Sequence, residues 1–137
     1  MLRLCHAEVQ HALDEGFAAR DLPRLQGTVT QPLFDHAAGL RLTELAQLAG
    51  ISKQAMAEAV DAMEAAGYVE RIADPDDGRA RRIRLTRRGR DAGFYARQLV
   101  REVEARWEAR VGKAKVTALR ETLRAIADAR PARAERD

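Results

Sequence analysis

The feature that most restricts the fold of this chain is a pair of short helical segments, each ended by a glycine. Residues 44–49 favour a helix that stops at Gly50, and residues 53–66 favour one that stops at Gly67. Glycine suits the position after a helix because it adopts the left-handed conformation without a steric penalty. Ser52 stands where the second segment needs an N-cap. The sequence therefore predicts two short helices that meet across a tight turn.

The pattern changes to strands after Gly67. Residues 68–72 and 82–85 are short runs with the period of two that β-strands favour, and residues 74–78 between them are a cluster of turn formers, Asp-Pro-Asp-Asp-Gly. We expect a hairpin with an exposed tip. Helix, turn, helix and hairpin in this order form a winged helix-turn-helix, in which the second helix enters a major groove of DNA and the hairpin reaches a neighbouring minor groove.

The rest of the chain favours helices. We expect a first helix from residue 2 to about residue 19, a short one around 29–36, a long one from about 88 to 111 and a final one with Val116, Leu119, Leu123 and Ile126 on one face. The first helix repeats apolar residues on one face, namely Leu2, Cys5, Val9, Leu13 and Phe17. The second helix of the pair has a predicted inward stripe of Ala55, Met56, Ala59, Val60 and Met63. The predicted fold class is mainly α, with about six helices and a small β-hairpin wing.

Charge is unevenly distributed along the 137 residues, although the net charge is only +3. Residues 1–68 contain five basic and nine acidic side chains, whereas residues 69–90 contain eight arginines and four acids. The arginine excess therefore coincides with the predicted hairpin and the start of the next helix. Phosphate groups of a nucleic acid would lie there.

Several function classes are disfavoured by composition. One cysteine excludes an internal disulfide, and three scattered histidines argue against a metal site. The sequence has no phosphate-binding glycine loop, no paired carboxylates in an apolar setting and no nucleophile with a base nearby, so we expect neither an enzyme nor a cofactor. No apolar run approaches the roughly 20 residues that span a bilayer. We therefore expect no membrane contact, no export signal and a cytoplasmic location.

Three segments and the hairpin resemble the MarR family of transcriptional regulators. The segments are residues 42–46, 51–56 and 67–71. The hairpin fits the family signature D-x-R-x5-L-T, with Asp77 and Arg79 followed after five residues by Leu85-Thr86, and Gly89 completes the ending L-T-x-x-G. The resemblance implies a homodimeric, ligand-responsive regulator, in the role of a repressor, that binds a pseudo-palindromic operator in double-stranded DNA. A single domain over residues 1–137 would comprise a dimerisation region of 1–20 and 91–130 and a DNA-binding region of 28–90.

The resemblance also assigns roles to residues. Matching motif positions place four residues against the major groove: Ser52, Lys53, Gln54 and Ala57. Arg79 would enter the minor groove while Asp77 holds its guanidinium, because a narrow groove concentrates negative potential. Glu58 replaces a basic residue common in relatives, and it either accepts a hydrogen bond from a cytosine amine or points away. Arg87 replaces a common acid and becomes a candidate phosphate contact.

Other assignments have competing interpretations. Arg81 and Arg82 either contact phosphate or belong to a solvated face. His11, His36 and Trp107 are candidates to border a pocket for a small aromatic effector, although Trp107 equally suits a seam between helices. Cys5 suits either a small apolar side chain or the redox sensor that some MarR relatives carry in their first helix. A winged helix that binds protein without specific DNA binding is the remaining alternative.

Overall fold

The computed structural model describes residues 2–130, which form six helices and one two-stranded sheet. The elements are, in chain order, α1 (Leu2–Ala19), α2 (Gly27–Phe34), α3 (Leu42–Ala49), α4 (Lys53–Ala65), β1 (Val69–Ala73), β2 (Arg81–Leu85), α5 (Arg87–Val111) and α6 (Lys113–Asp128). The predicted class, mainly helical with a small hairpin wing, is confirmed. The ends of the predicted 1–137 domain, residue 1 and residues 131–137, lie outside the described residues.

The described residues pack into two units. One unit contains residues 2–24 and 96–130, and the other contains residues 25–95. The division falls inside α5, between Tyr95 and Ala96. The roles predicted for 1–20 with 91–130 and for 28–90, dimerisation and DNA binding, remain predictions.

The core of the 25–95 unit comes from α2, α3, α4, the two strands and Tyr68 just before β1. Its fully buried side chains include Val29, Leu45, Met56, Val60 and Tyr68. Removing an aliphatic side chain of this size from water stabilises a fold by about 1.5–3 kcal/mol. Met56 and Val60 lie four residues apart on α4, so the helix presents one face to the core and leaves the opposite face to solvent.

The turn between α3 and α4 follows the local signals in the sequence. Gly50 adopts the left-handed conformation with φ of 67° and ends α3. The hydroxyl of Ser52 accepts a hydrogen bond from the N–H of Ala55 at 3.1 Å and caps α4. The predicted N-cap is therefore confirmed, and α4 begins at Lys53 in a fixed orientation relative to α3.

The wing is an antiparallel pair in which Val69 lies opposite Leu85 and Ala73 lies opposite Arg81. A third segment adds one bridge that the sequence did not predict. The N–H of Leu40 donates to the carbonyl of Ile83 at 2.9 Å, and the N–H of Ile83 donates to the carbonyl of Leu40 at 2.8 Å. The chain just before α3 is thereby joined to the middle of β2.

The unit of residues 2–24 and 96–130 buries less of its predicted apolar surface. Phe17, Val103 and Val116 are buried. The predicted burial of Cys5 is wrong, because its thiol is exposed, and Leu2 at the same helix face is also exposed. Within the described chain, no element covers this end of α1. None of the helices in residues 2–130 is long and apolar enough to cross a membrane.

Candidate nucleic-acid interface

Five of the eight arginines between residues 69 and 90 are held by contacts within the protein. Their partners are Asp61 and Glu64 for Arg71, Asp74 and Asp76 for Arg82, Glu70 for Arg84, the ring of Tyr68 for Arg88 and the carbonyl of Leu85 for Arg90. Arg84 and Glu70 lie directly opposite on the two strands, with Nε 2.7 Å from Oε1. These arginines neutralise acids or support the hairpin, so their charge is already engaged.

The other three are Arg79, Arg81 and Arg87, all exposed. Among residues 2–130, their guanidinium groups make no hydrogen bond, ion pair or ring contact. Arg79 and Arg81 belong to the wing, and Arg87 is the first residue of α5, which has no acid in its first turn. A cation at a helix N-terminus is disfavoured by the helix dipole. No group in residues 2–130 pairs with Arg87 there, whereas an external anion would stabilise it.

Asp77 shapes the wing tip through the backbone. Its Oδ1 accepts a hydrogen bond from the N–H of Arg79 at 3.1 Å, and its carbonyl accepts one from the N–H of Ala80 at 3.0 Å. The predicted contact of Asp77 with the Arg79 guanidinium is not formed in this structure. Asp77 therefore supports the tip by fixing the turn, as aspartate does when its side chain bonds a backbone group two residues on.

Asp74 is the buried centre of the wing base. Its side chain is fully buried, and Oδ2 lies 2.7 Å from Nε of Arg41, 2.7 Å from Nη2 of Arg41 and 3.2 Å from Nε of Arg82. Its Oδ1 accepts a hydrogen bond from the N–H of Asp76 at 2.9 Å. The Asp76 hydrogen bond, together with Arg41 and Arg82, lowers the pKa of Asp74 to about 2, against the burial that acts to raise it.

The first turns of α4 expose the residues predicted to face the major groove. Ser52, Lys53, Gln54 and Glu58 are exposed, and Ala57 is half-buried. The inward placement predicted for Ala55 is wrong, because Ala55 is exposed. It lies in the first turn, where the core side chain is Met56, so the exposed face consists of Lys53, Gln54, Ala55 and Glu58. Lys53 and Glu58 form no ion pair among residues 2–130.

Comparison with known proteins agrees with this arrangement. A sequence model of the MarR family matches residues 34–80, which run from the end of α2 to the wing tip. The transcriptional repressor CouR, solved on a 23-mer DNA duplex, is 28% identical, with 92% of this chain and 89% of that one covered and a TM-score of 0.74. A MarR-family regulator from Rhodococcus sp. RHA1 is 25% identical, with 94% and 92% covered and a TM-score of 0.73.

The match to the MarR family model and the two solved MarR-type structures make this chain similar to MarR-family regulators in both sequence and fold. CouR from Rhodococcus jostii RHA1 has also been solved with p-coumaroyl-CoA, at 25% identity, 94% and 90% coverage and a TM-score of 0.70. None of the curated proteins matches the sequence. The matching proteins are transcriptional regulators, which agrees with the prediction of a regulator rather than an enzyme.

The three candidate effector residues of this chain lie in different surroundings. His11 is exposed on α1, with Nε2 3.1 Å from a carboxylate oxygen of Glu15. His36 is exposed after α2 in the other unit, with Nδ1 2.8 Å from the carbonyl of Pro32. The indole N–H of Trp107 donates to Glu8 at 2.9 Å. This bond joins α5 to α1, as the helix-seam interpretation of Trp107 expects.

Sequence reasoning missed two residues of the wing base. Asp74 was interpreted only as a turn former, and Arg41 received no role. Asp74 directly follows β1, but strand period alone would not have shown its burial, because alternation puts it on the face opposite buried Val69. No local signal identifies Arg41 as its partner, because 33 residues separate them.

Proposed function

We propose that the chain is a homodimeric, DNA-binding transcriptional repressor that reads a pseudo-palindromic operator and responds to a small aromatic effector. The observation that carries the DNA-binding part is a set of three arginines without partners among residues 2–130: Arg79 and Arg81 in the wing, and Arg87 at the start of α5. Arginine binds phosphate and base edges through a planar fork of donors, and its charge does not titrate. A surface that keeps these cations free of internal acids favours an anionic partner.

Helix α4 supplies the complementary surface for a major groove. Gln54 can donate to and accept from an adenine edge, and Lys53 can reach guanine or phosphate. The N-terminus of α4 also directs its positive dipole end outward at Ser52. Glu58 lies one turn further along the same exposed face, where a carboxylate can accept from a cytosine amine. CouR, which has the same fold, was solved on DNA, and this supports the proposal.

The exposed apolar side chains of the terminal helices support a homodimer. On α1, Leu2 is 65% exposed and Leu4 is 72% exposed, and on α6 Ile126 is 64% exposed. Leu119 and Leu123 on α6 are also exposed. Contiguous apolar side chains at a surface mark interaction sites. A second copy of the chain would remove them from water, and a two-fold dimer accounts for a palindromic operator.

The proposed effector is a small aromatic molecule. CouR binds p-coumaroyl-CoA, a ligand with an aromatic acyl group. Its similarity to this chain supports an aromatic effector, with His11, His36 and Trp107 as the residues to examine first. Since a repressor of this kind acts beside the genome, a cytoplasmic location is part of the proposal.

Selection of binding sequences from random duplex DNA tests the proposed function. The wild-type chain should enrich one sequence whose two inverted half-sites are centred about one helical turn apart. Affinity for that duplex should fall about 10³- to 10⁵-fold between 50 and 200 mM salt if six to ten phosphates are contacted. A chain that enriches no sequence, and whose weak binding is independent of salt, would instead be a protein-interaction module.

A further inference from the structure

A cluster formed by Arg41, Asp74 and Arg82, termed the wing clamp, joins the helix-turn-helix to the wing. Arg41 is the N-cap residue of α3, Asp74 follows β1, and Arg82 lies on β2. Arg41 directs both Nε and Nη2 to Oδ2 of Asp74, at 2.7 Å each, and Arg82 Nε lies 3.2 Å from the same oxygen. One buried carboxylate therefore holds cations from two parts of the unit.

The start of α3 is fixed at the same place. The Glu44 carboxylate accepts a hydrogen bond from the N–H of Arg41 at 3.0 Å, and the neighbouring Leu40 forms its two backbone bonds with Ile83. Arg41 is thus held by its backbone as well as by its side chain. Because the Arg41 side chain contacts Asp74, the fixed position of Arg41 also fixes Asp74 at the base of the wing tip.

The wing tip beyond Asp74 has little other support. The N–H of Asp74 donates to the carbonyl of Ala80 at 3.0 Å, and the N–H of Ala80 donates to the carbonyl of Asp77 at 3.0 Å. Side chains of Asp76, Asp77 and Arg79 are exposed. The direction of the tip, and with it the direction of Arg79, depends on how Asp74 is oriented.

We propose that Arg41 is a positioning residue for DNA binding, which acts through Asp74 to set the direction in which the wing tip presents Arg79. This inference rests on the proposed DNA-binding function. Arg41 need not contact DNA itself. Its effect on affinity should therefore require Arg79, whereas an arginine that contacts phosphate independently would contribute whether or not Arg79 is present.

A double-mutant cycle tests the inference. Wild type, Arg41→Ala, Arg79→Ala and the double variant are titrated with the duplex recovered by selection with the wild-type chain. We expect Arg79→Ala to weaken binding about tenfold. Arg41→Ala should weaken it about fivefold in the wild-type background and less than about twofold when Arg79 is already absent. Equal factors in the two backgrounds would overturn the inference.

A second measurement needs no DNA. Amide hydrogen exchange of the free protein should show the Ala80 N–H exchanging about tenfold faster in Arg41→Ala, while the amides of α4 stay protected as in wild type. Unchanged exchange at Ala80, or equal loss of protection throughout α4, would overturn the inference. The matched control is Arg84→Ala, which removes an ion pair from the same hairpin without touching α3. Its effect on affinity should be small in both Arg79 backgrounds.

Two further outcomes are distinguishable. If the wild-type chain selects no duplex, the proposed function fails and the inference fails with it. If wild type binds DNA but the effects of the Arg41 and Arg79 substitutions on affinity are additive, the proposed function stands and the inference alone fails. Should Arg41→Ala not fold, Arg41→Lys keeps the charge but loses the two-nitrogen contact with Asp74, and the same cycle is run with that variant.

Discussion

The hydroxyl of Thr86 donates a hydrogen bond to the carbonyl of Gly67 at 2.6 Å, joining the turn after α4 to the residue that precedes α5. The same oxygen accepts a hydrogen bond from the N–H of Gly89 at 3.0 Å and caps α5. Gly89 packs against the backbone of Tyr68 so closely that a Cβ at this position would overlap the Tyr68 carbonyl. The L-T-x-x-G ending of the signature thus has a structural role. It fixes the end of the wing and the first turn of α5.

Replacing Thr86 with valine should destabilise the protein by about 1–3 kcal/mol, because the carbonyl of Gly67 and the N–H of Gly89 lose their partner. Urea unfolding monitored by circular dichroism measures the change. Thr86→Ser is the control, since serine keeps the oxygen and should retain most of the stability. A valine variant as stable as wild type would show that the hydroxyl contributes little.

The stability of the fold should depend on the ionisation of Asp74 at low pH. Its pKa is lowered from 3.8 to about 2 in the folded protein, so its contribution is present above the unfolded pKa and is lost as pH falls from about 4 through 2. The urea midpoints of wild type and Asp74→Asn should therefore differ at pH 7 and converge towards pH 2. Asp76→Asn, an exposed neighbour, is the control. A difference that stays constant with pH would contradict the assignment.

Local signals predicted most of the fold. Gly50, Ser52, Gly67 and Thr86 mark helix ends through interactions within a few residues, and these are legible in a sequence. The signals for the hairpin were also local, since its turn-forming residues lie between two short segments that favour strands. By contrast, the bridge between Leu40 and Ile83 joins positions far apart in the chain, and nothing near Leu40 indicates a strand.

The candidate site could be predicted by its location but not by the state of its arginines. Arg81 and Arg82 are neighbours with the same charge, yet one is exposed and the other is held by Asp74. Strand alternation separates them, and only the position of the acid shows which side is internal. The apolar stripes of α1 and α6 were likewise visible in the sequence, but the sequence did not show that Leu2 and Ile126 remain exposed.

Replacing Arg79 should affect DNA binding, whereas replacing Arg82 should affect stability. Arg79→Ala should weaken binding to the selected duplex by about 1–3 kcal/mol and leave unfolding within about 0.5 kcal/mol of wild type, because an exposed side chain without a partner contributes little to stability. Arg82→Ala should lower the urea midpoint, because it removes a cation from Asp74. Fluorescence anisotropy and urea titration on the same preparations measure both. The reverse pattern would contradict the division of the wing arginines.

Glu58 should determine one base of each half-site. Glutamate accepts a hydrogen bond from the cytosine amine, whereas glutamine pairs with adenine. Selection from random DNA with Glu58→Gln should therefore replace cytosine by adenine at one position per half-site, and the rest of the site should be unchanged. Asp61→Asn, further along α4, is the control. Identical sites for wild type and Glu58→Gln would mean that Glu58 points away from the bases.

The exposed apolar face of α6 should be required for self-association. Ile126→Glu places a charge where a dimer would bury an apolar side chain, so sedimentation equilibrium should show a shift towards monomer. Ala125→Glu, at an exposed position on a different face of α6, is a matched control for the added charge. A wild-type chain that is monomeric at micromolar concentration would contradict the dimer before any variant is needed.

The division of the wing into free and engaged arginines is tested by the salt dependence of DNA binding. Affinity for the selected duplex is measured from 50 to 300 mM salt for wild type, Arg81→Ala and Arg84→Ala. We expect the slope of log affinity against log salt to decrease in magnitude by about 1 for Arg81→Ala, because one phosphate contact is lost. Arg84→Ala should leave the slope unchanged, since its guanidinium is held by Glu70. Equal slopes for wild type and Arg81→Ala, or the loss only in Arg84→Ala, would contradict this division.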